Sequence, residues 1–166
     1  MATALFITRD ELVKFTALNG NIDTDNFIQW VKVAQDIHIQ QYLGTELFNK
    51  INNDIVAGTL TGNYLMLLNT YIKPMLVHWS LVEYLPFAAY TIANKGVYKH
   101  SSENSENVDK AEVDFLVEKE RSIAQNYSRR FIDYMSYNQS LFPEYNANSN
   151  GDVFPNFEAD FYGWTL

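Results

Sequence analysis

Cysteine is absent. That excludes disulfides, thiolate metal sites and a cysteine nucleophile. Glycine is sparse and scattered: the seven glycines form no Gly-x-Gly-x-x-Gly, no Gly-Lys-Ser/Thr and no Gly-x-Ser-x-Gly, so phosphate loops and the hydrolase nucleophile elbow are missing. The three histidines, His38, His78 and His100, fit no metal-ligand spacing. Basic residues are outnumbered by acids, 12 to 20, for a net charge of -8. Such a balance argues against a dedicated nucleic-acid binder and against docking on anionic membranes. No Lys or Arg follows Arg130, while the final 36 residues hold five acids: Asp133, Glu144, Asp152, Glu158 and Asp160. A long apolar run is also lacking. The most apolar stretch, residues 64–93, is broken by Lys73, Pro74, His78, Glu83 and Pro86, which does not suit a membrane span. The N-terminus carries no basic n-region of a signal peptide, and a soluble intracellular protein is the expectation.

What the chain does have is helical punctuation and many aromatics. At 166 residues it has the length of one domain with a sizeable core. Thr8 and Glu11 form a capping-box pattern that starts a helix through about Ala17. A second helix, capped by Asp23 or Thr24, places Phe27, Trp30, Val31, Ala34, Ile37 and His38 on one face. Gly44 stops it, and Thr45 caps a third with Leu47, Phe48, Ile51 and Ile55 inward. Residues 62–94 read as a central buried helical region that Pro74 and Pro86 kink or divide. A polar loop over 97–107 follows. A long helix from about Val108 to Tyr137 then carries an apolar stripe of Leu116, Ile123, Tyr127, Phe131, Tyr134 and Met135. The fold class is all-α: a small antiparallel bundle of four to five helices, with a projecting inter-helix loop and an extended C-terminal arm.

The division is a bundle domain over 1–140 and an aromatic, acidic arm over 141–166. In the arm no helical period explains Phe142, Tyr145, Phe154, Phe157, Phe161, Tyr162 and Trp164. Aromatics of that density lie against something, either their own core or another chain, and 161–166 suits strand addition to a partner. Candidate interface residues are therefore Val97, Tyr98, Lys99 and His100 in the loop, and Phe142, Tyr145, Phe154, Phe157, Phe161, Tyr162 and Trp164 in the arm. His38 and His78 read as core or boundary residues, and His100 as solvated. The acids Asp109, Glu112, Asp114, Glu118 and Glu120 alternate with bases as on a solvated face. Arg129-Arg130 reads as a helix end suited to the dipole, or as a dock for an acidic segment. No catalytic, cofactor or metal residue is expected, and the chain reads as a non-enzyme. Two other readings stand beside this: an apolar-ligand pocket near Tyr71, Met75, Trp79 and Tyr90, and a hydrolase using His78 and Glu83.

The run Ile39-Gln40-Gln41-Tyr42-Leu43-Gly44-Thr45-Glu46-Leu47-Phe48-Asn49-Lys50-Ile51 resembles the first helix junction of tailed-bacteriophage head–tail connector proteins, also called head completion or neck ring proteins. The segment from Lys95-Gly96-Val97 to Ser105-Glu106 fits the same resemblance. So does the ending, Phe142-Pro143-Glu144-Tyr145-Asn146 followed by Gly163-Trp164-Thr165-Leu166. The likeness is nearest to connector-like chains of crAss-like and related Bacteroides phages. It implies a structural subunit of a homo-oligomeric ring, usually a dodecamer, bound to the portal protein and to adjacent tail or neck ring proteins. Such a ring sits in the neck of the virion and is assembled in the host cytoplasm. DNA passes through its lumen without sequence-specific binding, which an acidic lumen would favour, and no membrane or cofactor is involved.

Overall fold

The computed structural model describes residues 2–18, 24–88, 90–93, 96–99, 109–147 and 151–158. Helix α1 spans Arg9–Phe15 and is capped as its sequence requires: Thr8 accepts from the Glu11 backbone while the Glu11 carboxylate accepts from the Thr8 backbone. Helices α2 (Thr24–Ala34) and α3 (Gln40–Ala57) are joined by a π turn at Gln35–Ile39. Helices α4 (Gly62–Leu67) and α5 (Lys73–Tyr84) are joined by a second π turn at Leu68–Ile72. Strands β1 (Tyr90–Ala93) and β2 (Gly96–Lys99) pair antiparallel, Tyr90 opposite Lys99 and Ala93 opposite Gly96. The long α6 (Lys110–Asn138) and the single turn α7 (Pro143–Asn146) follow. The chain is thus an all-α bundle with one small hairpin among the described residues. None of their helices is long and apolar enough to cross a membrane.

Both π turns have a physical reason. Pro74 lacks the N–H that would continue the α ladder, and its ring crowds the preceding turn. A wider turn just before it, with the Lys73 N–H reaching the Leu68 carbonyl, opens room without breaking the helix. At Gln35–Ile39 the extra residue shifts the phase of the helix face. Phe27, Val31 and Ala34 are buried as the spacing predicts, but Ile37 is 54% exposed, and Gln35 and Ile39 turn inward instead.

Gln35 is fully buried because it has work for both ends of its amide. Its Oε1 accepts from the Phe6 backbone at 2.9 Å and its Nε2 donates to the Ala4 carbonyl at 2.8 Å. Asn52 repeats the pattern one step outward, accepting from the Ala4 backbone at 2.8 Å and donating to the Ala2 carbonyl at 3.1 Å. Residues 2–6 are thereby zipped along α2 and α3 by side-chain amides, as a sheet neighbour would do it, and Phe6 lands on Phe48.

Helices α5 and α6 run antiparallel at the centre. Tyr71 stacks on Tyr134, the Trp79 indole N–H donates to Ser128 at 3.1 Å, and His78 lies over Tyr127. The buried line of α6 is Val117, Ala124, Ser128, Phe131 and Met135. The expected stripe is right from Tyr127 onward and one residue out of phase at Leu116, which is exposed. Its inward middle positions, Ala124 and Ser128, are small, and Ser128 faces the Trp79 indole. A hydrophobicity pattern cannot register such residues.

The expected helical region 62–94 is shorter than its composition suggests. It ends at Tyr84, passes through a tight turn at Leu85–Phe87, and gives way to β1. Pro86 within that turn removes the N–H needed to continue the helix, and Tyr90, Thr91 and Ile92 are good strand formers. The expected loop accordingly begins with β2. Residues 100–108 lie outside the described residues.

Candidate assembly surfaces

The arm does not start where its sequence suggests. Phe142 and Tyr145 are fully buried in the chain's own core. Phe142 meets Tyr64 edge-on at 5.3 Å, and Tyr145 meets Phe131 at 6.3 Å. Glu144 accepts a 2.6 Å hydrogen bond from the Tyr64 hydroxyl, fastening α7 to α4. The reading of Phe142 and Tyr145 as partner contacts is therefore corrected, and with it the boundary at 140. Pro143 resets the chain after α6 so that both rings turn back onto the bundle.

Beyond Gly151 the chain returns to α3 as a strap. Gly44 interrupts α3 with φ 73 and ψ 160, which frees the Gln41 carbonyl and the Thr45 N–H from the helical ladder. The strap takes both: Thr45 N–H donates to the Val153 carbonyl at 3.0 Å, and Asn156 N–H donates to the Gln41 carbonyl at 2.9 Å. The Thr45 hydroxyl donates to Asp152 at 2.9 Å and accepts from the Val153 backbone at 3.1 Å. Pro155 is buried directly over Gly44, where a Cβ would stand 2.6 Å from its Cγ. Phe154 and Phe157 flank this anchor, edge to face at 5.8 Å, and remain 58% and 49% exposed. Among the described residues, these are the two expected interface aromatics that the structure leaves accessible.

The opposite end is built around Leu85–Phe87. Phe27 packs on Tyr84, Trp30 stacks on Phe87 at 4.4 Å, and the antiparallel α6 brings its first turns alongside. Phe87, Tyr90, Phe115 and Leu116 are all exposed there, Phe115 at 70%. The sequence offered a signal that the helical stripe obscured: Phe115-Leu116-Val117 is an apolar triplet in an otherwise charged helix. Val97, Tyr98 and Lys99 lie in β2 with side chains outside the described residues, and His100, Phe161, Tyr162 and Trp164 lie outside them altogether.

The two described histidines are each paired with a carboxylate. His38 Nε2 sits 2.8 Å from Glu83 and its ring stacks on Trp79 at 3.9 Å. Burial pushes the His38 pKa below its ordinary value, against the opposing pull of Glu83. His78 Nδ1 is 2.7 Å from Glu120. His78 and Glu83 are therefore in separate pairs, so the pair expected of a hydrolase is not formed. No group of three or more metal-ligating side chains occurs among the described residues. Met75 and Trp79, expected to line a ligand pocket with Tyr71 and Tyr90, are instead packed core, while Tyr90 is exposed on the hairpin.

One cleft of about 440 Å³ opens between α1, α5 and α6, walled by Phe15, Pro74, Val77, His78 and Tyr127, with Glu11, Lys73 and Arg130 at its polar margin. Lys73 donates to Glu11 at 2.6 Å. Burial opposes ionisation of Glu11, but the hydrogen bonds from Lys73 and Thr8 outweigh it and hold the carboxyl below its usual range. The exposed Arg130 guanidinium lies over the Tyr71 ring at 5.2 Å.

A profile described as a family of unknown function, DUF6712, matches residues 39–155. The chain belongs to the DUF6712 family. In this DUF6712 chain the matched span runs from the end of the first π turn to Pro155, so it contains both partners of the Gly44–Pro155 contact. No curated protein and no solved structure matches it.

Proposed function

We propose that this chain is a non-enzymatic structural subunit of a phage head–tail connector ring, joining portal to tail and continuing the DNA channel. The observation that carries the reading is the pair of unlike apolar ends: Phe87, Tyr90, Phe115 and Leu116 at one, Phe154 and Phe157 beside the anchored strap at the other. A subunit that repeats head to tail around a closed axis needs two different surfaces, and large exposed apolar sets mark protein contacts. The resemblance of the Gly44 junction and of the C-terminal segment to connector proteins supports the same role. The acidic balance of -8 suits a lumen along which DNA slides without adhering.

Negative-stain imaging of the purified chain, alone and mixed with the portal protein of the phage that encodes it, tests the reading. Rings, free or stacked on the portal, are expected. Small monodisperse particles in both samples would refute it.

A further inference from the structure

We propose that the cleft between α1, α5 and α6 receives residues 158–166 of a second copy of this chain, forming the head-to-tail contact of the assembly. The inference rests on the connector reading for its context and on the cleft for its chemistry. The cleft margin holds Lys73 and Arg130 against a single carboxylate, Glu11. Residues 158–166 bring Glu158 and Asp160 and no base. Its walls offer Phe15, 60% exposed, with Pro74 and Tyr127 opposite, and the segment offers Phe161, Tyr162 and Trp164. A volume of about 440 Å³ falls in the range that holds a compact ligand, enough for one or two large rings with their neighbouring backbone. Aromatic anchors rimmed by paired charges are how small interfaces concentrate their affinity.

The occupant is assigned to a second copy because a ring subunit needs a contact between two different surfaces of the same chain. Asn156 and Pro155 pin the chain on α3 at Gly44, whereas the cleft is walled by α1, α5 and α6. The eight residues after Glu158 extend at most about 27 Å, sufficient to cross from one small bundle to its neighbour. A contact between two different surfaces of the same chain is heterologous and closes into a ring when the rotation permits.

The test is sedimentation of the full chain over a range of concentrations, with charge exchange across the proposed contact. Arg130 is exposed, so Arg130→Glu leaves the fold intact, as circular dichroism would check. Arg130→Glu alone and Asp160→Arg alone should each weaken self-association at least tenfold, and the double variant should regain most of the loss. A synthetic peptide of residues 157–166 should dissociate the wild-type oligomer, but not when its Trp164 is replaced by Ser. Unchanged association in the single variants, or no recovery in the double, would overturn the proposal. A wild-type chain that stays monomeric at all concentrations would overturn it in favour of docking within one copy. The two proposals fail separately. Rings of Arg130→Glu on the portal would sink the cleft and leave the connector standing. Charge-dependent association without rings or portal binding would do the reverse.

Discussion

Replacing Gly44 by Ala tests how the arm is held. At φ 73 and ψ 160 the backbone lies where L side chains are strained, at about 1–3 kcal/mol. The added Cβ would also sit 2.6 Å from Pro155 Cγ and 2.7 Å from its Cδ, closer than carbon atoms tolerate. Either Pro155 withdraws, and the hydrogen bonds Thr45–Val153 and Asn156–Gln41 weaken with it, or α3 shifts. Each such bond contributes about 1 kcal/mol net. The expected loss is therefore about 2–4 kcal/mol, read as a lower urea midpoint at unchanged slope. A second substitution separates the two causes. Pro155→Ala removes the crowding ring but leaves the backbone strain, so the double variant should be more stable than the sum of the single losses predicts, by about 1 kcal/mol or more. If Gly44→Ala falls within about 0.5 kcal/mol of wild type, the kink does not require glycine. If the two losses simply add, Pro155 is not seated on Gly44.

Three further outcomes follow from the same packing. Phe142→Ala should cost about 3–5 kcal/mol, and truncation after Ser140 should lose cooperative unfolding, whereas truncation after Glu158 should not; a well-folded 1–140 fragment in thermal melts would refute the burial of Phe142 and Tyr145. Tyr145→Phe should raise stability by about 1 kcal/mol, because the buried hydroxyl has no hydrogen-bond partner among the described residues and burial pushes its pKa up to about 12; a loss in denaturant titration would show that the hydroxyl is bonded. The fold favours neutral His38, faced by Glu83 and Arg121, so the unfolded chain binds the proton first as pH falls below the ordinary value of 6.5. Stability should therefore drop as pH falls from there through the lowered folded value and level off beyond it, and His38→Gln should flatten that slope; an unchanged slope would remove His38 as its source.

The helices were legible where period and punctuation agree. Thr8 with Glu11, the break at Gly44, and the Phe131–Met135 end of α6 stand as their spacing requires, whereas Thr45, expected as a helix cap, bonds the strap instead. The failures share a cause: the deciding term was tertiary. The π turn at Gln35–Ile39 moves Ile37 out and Gln35 in, because the amide of Gln35 satisfies two backbone groups of residues 2–6. Ser128 faces the core because the Trp79 indole N–H donates to its hydroxyl. Pro74 divides the 62–94 region as expected, but by a widened turn whose form the sequence does not show. In the arm, composition marked the aromatics as unusual but could not sort them. Phe142 and Tyr145 fill the end of the bundle, while Phe154 and Phe157 border a strap whose anchor is a proline on a glycine more than a hundred residues earlier.

That anchor bears on how an assembly would use the chain. Residues 2–6 are held by Gln35 and Asn52, and residues 152–156 by Thr45, Gly44 and the Gln41 carbonyl. Both straps therefore load the same α2–α3 element, from either side of the Gly44 break. A partner drawing on residues beyond 158 pulls first on Pro155 and the opened turn at Gly44, and only after that on α7 and the aromatic cluster around Phe142. Gly44 lies between Gln35 and Asn52, so a change at the break alters the spacing of the two amides that hold the N-terminal strap. The two straps thus meet on one helical element that is broken between Gln35 and Asn52.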